Sequence, residues 1–479
     1  MLTRLVTLVL FLITLCVGVA QADQEPNIIV IMADDLGYGD ISCYGATKVK
    51  TPHIDRLAKE GMKFTDAHSP ASICSPSRYG LVTGRSPWRL HKKGNGYRIE
   101  EGRMTIGDLV QNKGYAAAAI GKWHLGYGKK MVKPLSPGPL ERGFTYHFGV
   151  PSNHNDKYRA FVENHDFFGL KSGEELKIVK GQDFPSGLEK PRVEDQVDTM
   201  LTKKAVEFIR KNADGPFLLY FTPCCPHTHI TPSAPFRGSS EAGLYGDYIQ
   251  ELDSHVGEIA AALDELGLAD NTLLVFTSDN GGAPNDFKGT QGVFLNLETD
   301  SHDIRNLFKT AKADARKAGH LNNGHWQDGK GKPYEGGHRV PFVVRWPGKV
   351  QPGTTSDQSL CLTDIFATAA DVLDLKIPDD AAEDSFSFLP ALLGKESEAL
   401  RAMTFIQGDA KDIAITVGWK SWKLIASRSE GDQRTYQLFD LSADPGETKD
   451  VAGQHEEIVA ELVAALGNAI SNGRTRPVR

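Results

Sequence analysis

The residues best able to do chemistry fall into short clusters separated by apolar runs: Asp34-Asp35, Cys74 to Arg78, Gly121-Lys122-Trp123-His124, Pro226-His227-Thr228-His229, Asp279-Asn280 and Lys330-Gly331-Lys332. The acidic pairs offer hard oxygen ligands, which suit calcium or magnesium rather than zinc. An isolated Asp pair reads as a helix cap or a solvated turn. A second pair, Asp279-Asn280, also stands directly after an apolar strand. Histidines such as His124 and His227 are the residue type that moves protons near neutral pH. The net charge is -7, so any attraction for an anionic substrate must be local. The same balance lacks the basic field that a nucleic-acid partner would favour.

Cys74-Ser75-Pro76-Ser77-Arg78, followed by Thr83-Gly84-Arg85, resembles the sulfatase signature Cys-x-Pro-Ser-Arg with its downstream Thr-Gly. On these residues the chain is identified as a member of the formylglycine-dependent type I sulfatases of the alkaline phosphatase superfamily. The resemblance implies that a maturation enzyme oxidises Cys74 to formylglycine (3-oxoalanine), whose hydrate attacks sulfur. There is a physical reason for such a nucleophile. A serine sulfate would need a second displacement by water, whereas a hemiacetal sulfate expels sulfate by breaking its own C–O bond.

The same resemblance implies roles for the other clusters. The metal set would be Asp34, Asp35, the modified Cys74, Asp279 and Asn280, with calcium the first expectation and magnesium the second. Gly-Lys-Trp-His matches a family element in which Lys122 is expected to contact sulfate and His124 to take the proton that releases it. His227 resembles the histidine of Pro-His-x-Pro, expected to bind sulfate and to protonate the leaving alcohol. His229 stands where many relatives have Pro, so both histidines stay open for that role. Lys330 to Pro341 resembles Lys-Gly-x-x-Tyr-Glu-Gly-Gly-x-Arg-x-Pro, and the spacing to Glu335 makes Lys330, not Lys332, the second sulfate-binding lysine. Glu335 and Arg339 are expected to fix the turn into the next strand, and Arg78 to pin the metal ligands through its forked donors.

The match reaches from about Pro26 to Glu447, because Leu438-Phe439-Asp440-Leu441 and Asp444-Pro445-Gly446-Glu447 resemble elements many relatives carry near their C-terminus. Segments 150–155, 161–164 and 320–326 resemble bacterial relatives of N-acetylgalactosamine-6-sulfatases and arylsulfatases. A sulfated carbohydrate is therefore the expected substrate, with small aryl sulfates as surrogates. The rivals are a phosphodiesterase or phosphonate monoester hydrolase of the same superfamily, and a glycan-binding protein in which Cys74 is never modified.

These clusters need a scaffold that brings them together. Short apolar runs at 27–32, 115–120, 217–222, 272–277 and 341–346 alternate with helical patterns at 51–61, 197–211 and 247–266. That alternation predicts an α/β fold: a large mixed, mostly parallel sheet sandwiched by helices, alkaline phosphatase-like by resemblance. In such sheets ligands bind beyond the carboxyl ends of strands, so one site could collect the clusters. A helical segment at 79–82 would put Cys74 near a helix N-terminus, where partial positive charge favours an anion. Residues 134–192 are rich in Pro, Gly and charge and read as inserted loops, of the kind that form binding walls. From Met403 the runs 413–417, 422–426 and 436–441 read as a small antiparallel sheet covered by a helix at 455–466.

With 479 residues, two domains are expected: a catalytic domain over 23–385 and a C-terminal α+β subdomain over 386–479. Residues 1–22 combine Arg4, an apolar run and Ala20-Gln21-Ala22, which reads as a cleaved secretory signal and places the mature protein in the periplasm or outside the cell. Cys16 raises lipidation, but Leu15 is larger than such a signal wants. No other stretch approaches the length of a membrane span. Without Cys16 an odd number of cysteines remains, so at least one thiol is unpaired or used otherwise. Adjacent Cys224 and Cys225 read as a buried strand end rather than a strained disulfide.

Overall fold

The computed structural model describes residues 25–90, 96–128, 131, 133–178, 185–190, 192–283, 302–395, 400–408, 412–417, 421–428 and 434–477. The expected signal segment and Cys16 lie outside the described residues.

The strands, in chain order, begin with β1 (Asn27–Ala33), β2 (Met62–Phe64), β3 (Ala67–His68), β4 (Ala116–Lys122), β5 (Tyr146–Val150), β6 (Val162–Glu163), β7 (Asp166–Phe167) and β8 (Phe217–Thr222). They continue with β9 (Thr272–Ser278), β10 (Phe342–Arg345), β11 (Thr354–Ser356), β12 (Leu360–Cys361), β13 (Thr404–Gln407), β14 (Asp412–Val417), β15 (Trp422–Arg428) and β16 (Arg434–Asp440). The large sheet has the order β11-β2-β10-β9-β1-β8-β4-β5-β6-β7. Its centre, β9-β1-β8-β4-β5, is parallel throughout. The antiparallel β10 beside β9 and the β5-β6-β7 meander make the sheet mixed.

Register decides where the chemistry goes. Ala33 pairs with Ser278 and Gly121 with Thr222, so β1, β9, β4 and β8 end together along one carboxyl edge. Gly121 is required there. Its φ is +119°, and a Cβ would stand 2.0 Å from the Thr222 carbonyl oxygen.

Because strand side chains alternate, a sheet covered on both faces must be apolar at every position. Ile28, Val30 and Met32 of β1 enter one hydrophobic cluster, while Ile29, Ile31 and Ala33 enter the other. Burying each isoleucine contributes roughly 1.5–3 kcal/mol, and both faces use it. The first cluster takes Tyr79, Leu81 and Val82 from the helix Cys74–Thr83. Helices Pro52–Glu60, Val197–Lys211 and Gly243–Glu265 cover the other.

The C-terminal sheet, β13-β14-β15-β16, is antiparallel throughout. Phe405, Leu424 and Leu438 pack with Leu462 and Leu466 of the helix Glu456–Ser471. The region expected to be loops, 134–192, contributes β5 to the large sheet and the short β6 and β7 beyond it. Its longest strand, β5, is only Tyr-His-Phe-Gly-Val, too short and too polar in its surroundings to stand out. Cys224 and Cys225 are buried free thiols just past β8. Among the described residues no helix is long and apolar enough to cross a membrane.

Candidate active site

Asp34 and Asp35 follow β1, Asp279 and Asn280 follow β9, and all four are buried. A main-chain bond and a side-chain bond hold the two strand ends in register past the sheet: Asp279 N–H donates to the Ala33 carbonyl at 3.0 Å, and Asp35 N–H to the Asp279 carboxylate Oδ1 at 3.1 Å. Asp35 has a φ of +64°, which turns the chain so that consecutive carboxylates face one space.

Cys74 is the first residue of the helix Cys74–Thr83 and is fully buried. Pro76 is tolerated because it falls in the first turn, where its missing N–H has no partner to lose. The Cys74 Sγ lies 3.5 Å from Asp34 Oδ1 and 3.6 Å from Asp35 Oδ1. Burial, reinforced by Asp279, pushes the thiol well above its ordinary range.

Each carboxylate has its own cation. Lys122 Nζ lies 2.7 and 2.8 Å from the two oxygens of Asp34, and Lys330 Nζ lies 2.7 Å from Asp35 Oδ1 and 2.9 Å from its Oδ2. Burial works against charge on both lysines, but the facing carboxylates outweigh it and raise their pKa values. Burial likewise opposes ionisation of Asp35, and Lys330, then His227, more than offset it, holding the carboxyl well below its usual range. Arg78 reaches Asp279 with its fork and donates Nη1 to the Lys122 carbonyl at 2.9 Å. Past Asn280 the chain runs close to the segment after Lys330, and Gly281 is required there: a Cβ would meet the Gly336 carbonyl oxygen at 1.8 Å.

The histidines separate. His227 donates Nδ1 to the Thr228 carbonyl at 2.5 Å, which turns Nε2 toward Asp35 Oδ2 at 3.8 Å. His229 instead lies edge-on to His154, with ring centroids 5.9 Å apart. Of the two, His227 faces the acids. His124, at φ +58°, has a buried Nδ1 with no partner among the described residues. Burial, then Lys122 and Arg78, holds its ring neutral.

Asp34, Asp35, Cys74 and His227 each direct a ligand atom into a group spanning no more than 4.8 Å, and of these the two carboxylates are the donors that suit a hard cation. Asn280 donates Nδ2 to Asp35 Oδ1 at 2.9 Å, leaving its Oδ1 buried without a hydrogen-bond partner. An orphaned amide oxygen among carboxylates is a calcium ligand in kind. Asp279 gives Oδ2 to Arg78 and Oδ1 to the Asp35 amide.

Beside His124 opens a cavity of about 380 Å³, lined by Tyr97, Arg98, Tyr127, Ser152 and Tyr158 among others. Of these five only Ser152 fell in a segment singled out in the sequence, 150–155; the others did not stand out, since loop residues carry no periodicity. Lys312 was also missed: it is buried in the helix His302–Lys317, and burial lowers its pKa although Asp35 works the other way. A lone lysine in an amphipathic helix gives no signal of that kind.

A family model described as Sulfatase matches residues 26–375, and one described as N-sulphoglucosamine sulphohydrolase, C-terminal, matches residues 324–474. The chain is 37% identical to the N-acetylgalactosamine-6-O-sulfatase of Bacteroides thetaiotaomicron, over 93% of each chain. Human N-acetylgalactosamine-6-sulfatase is 30% identical, over 90% of this chain and 82% of its own. A solved structure from work on the metabolism of multiple glycosaminoglycans by Bacteroides thetaiotaomicron superposes with a TM-score of 0.80 at 35% identity, covering 94% of this chain and 100% of that one.

Proposed function

The chain belongs to the sulfatase family and is a sulfuric ester hydrolase, and from that premise we propose that it cleaves sulfate monoesters on a sulfated carbohydrate, using formylglycine made from Cys74 beside a calcium ion. The ester R–O–SO3⁻ and water give R–OH, sulfate and a proton. One observation carries this: Cys74 starts a buried helix with its Sγ 3.5 and 3.6 Å from Asp34 and Asp35, each of which holds a lysine.

Asp34, Asp35, Asn280 and, through its fixed position, Asp279 are the residues that would hold calcium, which when bound would neutralise sulfate charge and acidify the hydroxyl of the hydrated aldehyde. The chain's own groups do the rest. Lys122 and Lys330 bind the sulfate oxygens where negative charge builds up. His124, kept neutral by burial and its cationic neighbours, accepts the proton whose loss frees sulfate. His227 presents Nε2 to the leaving oxygen and donates a proton to it. Arg78 holds Asp279 and the start of its own helix in fixed relation. Because Cys74 is fully buried in the folded chain, the maturation enzyme has to read residues 74–78 before folding closes over them.

The names of the relatives make 6-O-sulfated N-acetylgalactosamine the carbohydrate to test first. Export to the periplasm or beyond rests on residues 1–22; the separate hydrophobic cluster of β13 to β16 supports a C-terminal subdomain, although Phe388, Ala391 and Leu392, beyond the expected division at 385/386, pack with the large sheet. The test is release of inorganic sulfate against phosphate from sulfated glycans, aryl sulfates and phosphodiesters, with co-expressed maturation enzyme and a Cys74→Ala control. Sulfate release that vanishes in the control is the expected outcome. Phosphate release alone, or no difference from the control despite formylglycine confirmed by mass, would sink the proposal.

A further inference from the structure

Fully buried charges are costly unless each has a partner, and a cluster of them lies outside the candidate active site. Lys423 in β15 is fully buried, with Nζ 2.7 Å from Glu447 Oε1, 3.0 Å from Glu335 Oε1 and 3.0 Å from His338 Nε2. Glu447 also accepts the Glu335 N–H at 2.7 Å. His68, Glu335 and His338 have the donor types of a metal site, but the Lys423 ammonium already satisfies Glu335 and His338, so the cation there is a side chain. Arg339 closes the cluster through Glu335 and Asp66, each at 2.6 Å.

Glu335 follows the loop that presents Lys330. That loop is bonded on both sides of the site: Lys330 N–H donates to the Gly282 carbonyl at 3.1 Å, and Gly331 N–H to the Ser72 carbonyl at 2.7 Å. Ser72 N–H in turn donates to the Gln407 carbonyl at 2.9 Å, and Gln407 N–H to the Pro70 carbonyl at 3.0 Å. The end of β13 is thereby paired to the segment leading into Cys74, while β15 and Glu447 grip the segment after Lys330. Both attachments come from the C-terminal sheet.

We propose that Lys423 is a positioning residue for Lys330, so that the C-terminal sheet sets how well the site binds and turns over the sulfate group. The inference rests on Lys330 being a sulfate-binding lysine, as proposed above. Without the Lys423 ammonium, Glu335 and Glu447 become adjacent buried carboxylates that repel one another. The bond from Glu335 N–H to Glu447 then opens, and the loop loses the fixed end that keeps Lys330 on Asp35. Displacement by about 1 Å is enough to cost on the order of 100-fold in rate.

A double-mutant cycle on the matured full chain tests this, with 4-nitrophenyl sulfate as the probe. Lys423→Met is expected to lower kcat/KM by about 10–100-fold in the parent but by less than about 2-fold in a Lys330→Ala background, because the interaction it serves is already gone. Equal fold losses in both backgrounds would overturn the proposal, since a general structural defect acts regardless of Lys330. If circular dichroism shows that Lys423→Met does not fold, the same cycle run with Glu447→Gln decides it by the same criterion. Lys330→Ala without effect on its own would overturn the sulfate-binding role and this inference with it; additive losses overturn this inference alone.

Discussion

Arg78 sets both Nε and Nη2 on one oxygen of Asp279, Oδ2, at 3.0 and 2.7 Å, with both side chains fully buried. The fork ties the helix that begins at Cys74 to the end of β9 and leaves Asp279 Oδ1 for the Asp35 amide. Replacing Arg78 with Met strands a buried carboxylate. Breaking such a pair from one side costs about 3–5 kcal/mol, so the unfolding free energy of Arg78→Met should fall by that amount, read as a lower urea midpoint, together with sulfate release. A variant as stable as the parent would mean that Asp279 is not held as a charge.

His227 and His229 make different predictions. A proton donated to the leaving oxygen matters most when that oxygen is basic. His227→Ala should therefore cut kcat on a sugar sulfate at least about 100-fold, within the usual worth of general acid catalysis, and on 4-nitrophenyl sulfate far less. His229→Ala, which disturbs the contact with His154 rather than the acids, should lower both substrates to a similar degree. The reverse pattern would assign the acid to His229.

Calcium should be visible without any turnover. A ligand that binds the folded state alone stabilises it by about 2.7 kcal/mol at 100 times Kd. Adding calcium to chelator-treated protein is thus expected to raise Tm, with magnesium a weaker substitute. Asn280→Ala removes the orphaned amide oxygen and should move the calcium midpoint to higher concentration. A Tm indifferent to calcium in the parent would argue that these oxygens serve another purpose.

Acid should weaken the fold through its buried histidines. His147 in β5 is fully enclosed, with Nε2 2.6 Å from the Tyr127 hydroxyl and Nδ1 2.7 Å from the Ala119 carbonyl, and burial brings its pKa from 6.5 down to about 4. Between those pH values the unfolded chain binds the proton and the folded chain does not. Stability is therefore complete above about pH 6.5 and falls as pH drops, by about 1.4 kcal/mol per pH unit for this residue. His229, brought down by burial to about 3, adds to the same slope. Urea titrations from pH 7 to 4.5 should show His147→Gln less stable at pH 7 yet less steep on acidification. Parallel slopes would contradict the assignment.

Much of the scaffold was legible because its signals are local. The runs 217–222 and 197–211 became β8 and the helix Val197–Lys211 with those bounds, since a fully buried parallel strand is apolar throughout and an amphipathic helix repeats its apolar positions. The helix over Cys74 proved longer than the expected 79–82, because Ser75 and Pro76 look like turn residues yet suit a first helical turn. The strands β2 and β11, at one side of the large sheet, were not legible at all. Each is three residues long, and both exist only through pairing with distant partners.

The sequence by itself determined the chemical inventory: a cysteine in a maturation signature, an Asp-Asp and an Asp-Asn pair at strand ends, and cations on a chain of net charge -7. Those are matters of residue type and short spacing. Tertiary structure decided which group serves which. It put Lys122 on Asp34 and Lys330 on Asp35, separated by 88 and 295 positions in the chain, turned His227 toward the acids and His229 away, and buried Lys423 against Glu335 and Glu447. Such choices depend on register between strands far apart in the chain and on which charges burial leaves unpaired, and neither is written in any local window of residues.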